Sequence, residues 1–269
     1  MIRMIRLIVP ALLIASWILP AMASTDDSRA RKIMEMVENR DDGDRMVSTV
    51  HMLLIDKNGN RREKRLISYT RDYGKDTRKI LFVDNPVEIR NTGFLSYDYD
   101  GSAKDDDQWL YLPAIGKTKR IASRDKSSSF MGSDLNYSDM TSLETDDYNY
   151  KLVKETKIDG HKVWIIQSTP KTAKVREETG YKKSILAVRQ DNYVVIKAKK
   201  WTSEGGYVKY MDVRKLARID GIWVSVEILI TKKQGDVIKH RTLIQKSDVK
   251  FGQDLRDDMF SIRRLEKGM

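Results

Sequence analysis

The sequence predicts a mainly β, α+β chain whose strands form one large curved antiparallel sheet. Three features carry that expectation. From about Met46 the apolar period changes from that of a helix to that of a strand and stays there for most of the 269 residues. Turn residues interrupt the alternation at short intervals, with no long helical pattern between strands, which indicates a continuous meander and not βαβ units. In "GIWVSVEILITKK", Ile222, Val224, Val226, Ile228 and Ile230 share a dry face, while Ser225, Glu227 and Thr231 share the other with Trp223 and Leu229. One dry and one mixed face suit a curved sheet whose concave side packs on a helix or lines a cavity and whose convex side meets water.

Taken in chain order, "MIRMIRLIVPALLIASWILPAMA" has the parts of a secretory signal. Arg3 and Arg6 give a positive start, Leu7 to Leu19 an apolar core, and Ala21-Met22-Ala23 a cleavage site before Ser24. The expected organisation is a signal peptide over 1–23 and a single domain over 24–269. "STDDSRARKIMEMVENRDD" reads as one amphipathic helix, with Thr25, Asp26 or Asp27 as its cap and Ala30, Ile33, Met36 and Val37 at helical spacing. "STVHMLLIDKNGNRREKRLISYTRDY" reads as a hairpin turning at Asn58-Gly59. "RKILFVDNP", "TGFLSYDYDG" and "QWLYLP" follow as strands. After Pro113 the pattern breaks into a polar, serine-rich excursion, with a short helix expected from about Ser133 to Leu143. Strands then resume from "YKLVKET" to "VIKHRTLIQKSDVKF", with turns at Asp159-Gly160, Asp191-Asn192, Gly205-Gly206, Gly221 and Gly235-Asp236.

Composition excludes several chemistries. No cysteine is present, so disulfides, thiol catalysis and a lipid-modified cysteine are excluded. The three histidines, His51, His161 and His240, are scattered and read as strand residues. "DKNGN" from Asp56 resembles the start of a calcium loop but lacks the downstream glutamate, and a hairpin turn accounts for it. Asp105-Asp106-Asp107 reads as a solvated turn. No phosphate-cradling glycine loop, nucleophile elbow or paired metal-ligand spacing occurs, so neither an enzyme nor a cofactor is expected. The formal charge of +11 suits an exported chain that meets anionic lipid headgroups or acidic protein surfaces.

The densest apolar strip is "WLYL" in "DDQWLYLP". Trp109 and Tyr111 face one side of their strand, and Leu110 and Leu112 the other, so both sides must be covered. In one reading, one side is core and the other is capped by the amino-terminal helix or by the excursion. In the other, one side lines an apolar cavity, with Phe130-Met131 in a movable cover. The candidate cavity or cover residues are thus Trp109, Leu110, Tyr111, Leu112, Phe130 and Met131.

Asp106 to Pro113, Arg120-Ile121 and Ser129 to Met140, with "GFLSYDYDG" before them, resemble the LolA-like outer membrane lipoprotein-sorting proteins. The resemblance implies an unclosed β half-barrel with helices packed in its concave face, an apolar cavity, a periplasmic location in a Gram-negative bacterium, and no catalysis. It also implies association with an RND-type inner-membrane transporter. The expected function is therefore a carrier for lipid or lipoprotein acyl chains that makes transient contact with a membrane surface. The alternative is a non-catalytic interaction or sensor module whose basic surface docks an acidic partner. No position is assigned the cargo-gating arginine of the classical carrier.

Overall fold

A computed structural model describes residues 26–101 and 104–269; the expected signal peptide lies outside the described residues. Among the described residues, thirteen strands form one antiparallel sheet that does not close. The first six are β1 (Met46–Asp56), β2 (Arg61–Tyr73), β3 (Asp76–Asn85), β4 (Gly93–Asp98), β5 (Asp107–Leu112) and β6 (Lys117–Arg120). The remaining seven are β7 (Tyr148–Ile158), β8 (His161–Pro170), β9 (Tyr181–Arg189), β10 (Val195–Thr202), β11 (Tyr207–Ile219), β12 (Ile222–Gln234) and β13 (Val237–Lys250). Their spatial order is β6-β5-β4-β3-β2-β1-β13-β12-β11-β10-β9-β8-β7. Two meanders thus run outward from a central β1–β13 pair, in which Leu53 sits opposite Leu243. β6 and β7 are the free edges, and the serine-rich excursion, residues 121–147, connects one edge to the other. β6 is short and reads "KTKR", a charged edge that discourages pairing with another chain.

Turn chemistry sets the register. Asp159 and Gly160 between β7 and β8 have φ of 51° and 83°, and Asp220 and Gly221 between β11 and β12 have 49° and 88°. This is the left-handed pair that a two-residue hairpin requires. At "DKNGN", Oδ1 of Asp56 accepts hydrogen bonds from the amides of Asn58 (2.8 Å) and Asn60 (3.0 Å). That carboxylate is committed to closing the hairpin.

Helix α1 (Ser28–Glu38) is capped by Asp27, whose carboxylate accepts from the amides of Arg29 (2.9 Å) and Ala30 (3.2 Å). Asp26 instead takes the amide of Tyr150 at 2.8 Å, pinning the helix start to β7. Ala30, Ile33 and Met34 are buried against Tyr150, Ile166, Leu186, Val188 and Ala198 on the concave side of β7 to β10. Met34 therefore takes the core position expected for Met36, which is 49% exposed. With Val37 the buried set keeps the spacing of one helical stripe.

The helix expected over Ser133–Leu143 does not form. Short 3-10 turns occupy Phe130–Gly132 and Tyr137–Met140, separated by extended chain. Met131 (φ 49°) and Gly132 (φ 76°) are left-handed, and Asn136 and Asp139 close a capping box on each other. The polar side chains here bond to the sheet, which competes with helix continuation.

Two further helices carried no sequence expectation. Helix α2 (Ala173–Thr179) bridges β8 and β9. Helix α3 (Ile262–Lys267), capped by Ser261, lies with the preceding carboxy-terminal segment on the face of β2 to β5 opposite the excursion. There Leu255, Phe260 and Leu265 are buried with Ile80, Phe82 and Leu95. β4 carries Gly93 at the contact, where a Cβ would meet Leu265 Cδ1 at 2.6 Å.

Candidate functional site: a latched cover on the concave face

The concave face is apolar across much of its width and is covered in two pieces. Helix α1 covers the β7 to β10 side. The excursion covers the other side, where Ile121, Phe130 and Tyr137 are buried with Leu81 of β3 and Phe94 of β4, and Leu110 packs against them. Phe94, Phe130 and Tyr137 form an aromatic trio with centroid separations of 5.1, 5.6 and 6.0 Å. Between the two covers, Val50 of β1, Met211 of β11 and Ile228 of β12 are half-buried, and Met131 and Leu135 of the excursion reach the same cluster. Met211 touches both the helix-covered and the central clusters, while Met131 and Leu135 touch both the central and the excursion clusters. The result is an apolar seam filled largely by flexible methionines.

What holds the excursion down is largely polar. Asp134, 4% exposed, takes its amide hydrogen bond to Thr242 Oγ1 (2.9 Å), and its Oδ2 accepts from Thr242 (2.8 Å) and lies 2.7 Å from His240 Nδ1. Asp139 accepts from Lys200 Nζ (2.8 Å), Tyr181 OH (2.7 Å) and the Asn136 amide (2.8 Å). Lys209 Nζ, on β11, donates to Asn136 Oδ1 (2.7 Å) and Tyr181 OH (3.1 Å). Lys79 of β3 donates to the Met140 carbonyl (3.0 Å), and Lys64 of β2 to that of Met131. Six strands thus each send a polar group to the cover.

Electrostatics follow from burial. Burial alone would raise the Asp139 carboxyl, but Lys200 and Lys209 overcome it and hold the group below the usual carboxylate range. Burial pushes Lys209 down to about 8, against the opposing pull of Asp139. Burial also lowers Lys64 and Lys79, and raises Tyr181 well above a free phenol. Near the far end of the cover, burial together with Glu38 pushes Glu144 up to about 7, and burial together with Asp106 pushes Asp98 to about 6. A carboxyl raised by folding costs stability progressively as pH rises from its unfolded value to its folded value, and the cost is complete above the latter. Stability therefore falls between about pH 4 and 7 from these two groups. Glu144→Gln is expected to flatten that decline, read from urea midpoints across the range; an unchanged slope refutes the assignment.

The six residues singled out from sequence separate onto two faces. Leu110 and Phe130 meet in one concave cluster, and Met131 joins it at the seam. Trp109 and Tyr111 lie on the opposite face with the carboxy-terminal segment, Trp109 edge-on to Tyr97 at 5.0 Å. Leu112 is half-buried at the strand end. The second cover over "WLYL" is thus α3 and its preceding loop, whereas the sequence pointed to the amino-terminal helix or the excursion. Sequence reasoning missed His240, Lys200, Lys209 and Tyr181, which stand on strands far from the excursion. The only local hint was a concentration of Asn and Asp in "GSDLNYSDM".

Beyond the reach of the carboxy-terminal segment, the convex side has a depression of about 600 Å³ over β1 and β11 to β13. Ile55, Leu229, Ile238 and Leu243 line it, with Arg214, Lys233 and Arg241. Lys199 and Lys233 each stand over the ring of Tyr210, and Lys183 and Lys199 over that of Trp201. No group of metal-ligating side chains occurs among the described residues.

Comparison with known proteins places this architecture. A family whose members are described only as uncharacterized proteins matches residues 75–267. Among solved structures, a DUF1329 family protein from Desulfovibrio piger is 27% identical, with a TM-score of 0.81 over 90% of this chain and 99% of that one. A putative outer membrane lipoprotein-sorting protein domain from Vibrio parahaemolyticus is 25% identical, with a TM-score of 0.79 over 88% and 98%. A LolA superfamily protein from Nitrosomonas europaea, 20% identical, shares the fold with a TM-score of 0.66 over 87% and 98%. No curated protein matches the chain.

Proposed function

This chain belongs to the DUF1329 family and has a LolA-like half-barrel, and on that footing we propose that it is a non-catalytic periplasmic carrier for acyl chains of lipids or lipoproteins. The observation that carries the reading is the apolar seam at Val50, Met211 and Ile228, half-exposed beneath a cover held by polar bonds. Each acyl methylene buried there contributes about 0.8 kcal/mol, so a partly buried chain binds tightly enough to hold and weakly enough to release. Net hydrogen bonds of about 1 kcal/mol each, or about 1.5 to 3 for charged ones, make the latch comparable to what such a chain supplies. Cargo entry then exchanges polar latch bonds for water while replacing Phe130, Met131 and Leu135 on the sheet. Leu110, Phe130 and Met131 are the wall and cover in this reading; Trp109 and Tyr111 fix the strand from behind.

A fluorescent acyl probe tests it. The wild-type chain is expected to take up the probe, and Ile228→Arg, which places a charge in the seam, to abolish uptake while leaving far-UV circular dichroism unchanged. Uptake that survives Ile228→Arg, or protein recovered from cells without any lipid by mass spectrometry and unable to take up probe, overturns the reading. The RND-type transporter is the proposed donor or acceptor, tested by co-purification.

A second reading rests on the convex depression. Its apolar floor and basic rim suit transient contact with an anionic membrane surface, where each well-placed Lys or Arg contributes about 1 kcal/mol. Should the acyl probe fail while this face binds an acidic protein, the chain is an interaction module.

A further inference from the structure

A separate cavity of about 200 Å³ lies between the end of the excursion, α2 and strands β7 to β10. Four carboxylates face it from three segments: Asp106 before β5, Glu144 and Asp147 around the last turn of the excursion, and Glu178 on α2. Asp139 also faces it but is taken by Lys200, Tyr181 and Asn136. Among the lining residues two cations stand against these, Lys200, committed to Asp139, and Lys126, 6% exposed; beside the cavity Lys171 and Lys174 act on Asp147, and Lys174 is paired with Asp105. Asp106 accepts only from the Tyr99 amide (3.1 Å) and Glu144 from that of Gly101 (2.9 Å) among the described residues. Neither contact neutralises charge.

A second observation is independent of the acidic residues. Ser168 of β8 is 1% exposed, lines the cavity, and its Oγ has no hydrogen-bond partner. Glu178 Oε1 likewise lacks one; the nearest cation, Lys174 Nζ, is 4.0 Å away. Buried oxygens without partners call for a donor. Leu143, Tyr148, Val175 and Leu186 supply apolar wall beside them. An occupant carrying positive charge, several N–H donors and a short alkyl stem satisfies all three requirements.

We propose that this cavity binds the ammonium group of a small alkylamine, donating to Glu144, Glu178 and Ser168 with its methylenes against Leu186 and Tyr148. The amine is either free or the headgroup end of an ethanolamine lipid. The lipid source rests on the carrier reading; the free-amine source does not. An ammonium has three donors, and its charge offsets the local carboxylate excess. Leu186 of the cavity wall belongs to the helix-covered cluster, against which Met211 of the seam also packs, so apolar sheet links the two places.

The experiment is an amide NMR titration of the full chain with ethanolamine, with ethanol as the uncharged control. Ethanolamine is expected to shift the Ser168, Glu178 and Thr179 amides saturably, and ethanol is not. Glu144→Gln and, separately, Glu178→Gln are each expected to weaken binding by about tenfold or more without lowering the thermal midpoint. Two variants are used so that a folding defect in one leaves the other decisive. No saturable shift, equal shifts from ethanol, or affinity indifferent to both substitutions overturns the proposal. Lysophosphatidylethanolamine and lysophosphatidylglycerol then separate the sources. Preference for the former, lost in Glu144→Gln, assigns a lipid headgroup. Ethanolamine binding without that preference supports the site as one for a free amine. Acyl-probe uptake by both variants reports on the carrier reading alone.

Discussion

Phe260→Ala is expected to lower the unfolding free energy by about 3 to 5 kcal/mol, the range for emptying a fully buried aromatic site. Phe260 is 1% exposed and sits with Ile80, Phe82, Leu95 and Leu265 on the face of β2 to β5 that the excursion does not reach. Its ring meets Tyr73 edge-on at 6.3 Å, and its carbonyl accepts from Tyr97 OH at 2.7 Å. Without the ring, the carboxy-terminal segment loses its anchor, and Trp109 and Tyr111 face water on one side. Urea unfolding measures the loss. A change below about 1 kcal/mol would mean that this segment is ornamental and that β3 to β5 are stable with one face bare. Acyl-probe affinity should not change, since the seam is on the other side of the sheet.

Asp139→Ala is the second large effect. It leaves Lys200, Tyr181 and the Asn136 amide without their acceptor in a site where Lys209 is already depressed by burial. Removing one member of a buried charge pair costs about 3 to 5 kcal/mol; Lys200 is one quarter exposed, which places the expected loss near the lower end. The loss is concentrated in the cover. Amide hydrogen exchange over residues 126–140 should accelerate far more than over β9 to β11, and acyl-probe uptake should speed up. The paired replacement Asp139→Leu with Lys200→Met should recover most of the stability, because it removes both charges. Uniformly faster exchange in cover and sheet, or a double variant as weak as the single, would show that Asp139 serves the whole fold and is not a latch.

The strands were legible because each is written in consecutive residues. Alternation in "GIWVSVEILITKK" puts Ile228 and Ile230 on the concave side and Trp223 on the other, as found. Asp159-Gly160 and Gly221 marked hairpins through the backbone conformation they adopt. The cover was half legible. Phe130-Met131 stood out as apolar residues in a polar stretch, but Asp134, Asn136 and Asp139 looked like ordinary loop chemistry. Their partners lie on β9, β10, β11 and β13, and nothing in a single sequence joins Asp139 to Lys200. Helix α3 was missed for a different reason: at six residues it is too short to display a period, and its seat is made by distant residues, Gly93 and the cluster that buries Leu265.

The central β1–β13 pair has a kinetic consequence. Neighbouring strands within each meander meet through short turns and zip locally, but Leu53 cannot find Leu243 until nearly the entire chain is available. Until then β1 and β13 both present open edges in the middle of what becomes the sheet. Such a long-range closure makes folding slow, on the order of milliseconds to seconds, and leaves the half-made sheet open to intermolecular pairing. The seam that completes the half-barrel is therefore also the step at which a crowded, newly emerging chain is most exposed to aggregation.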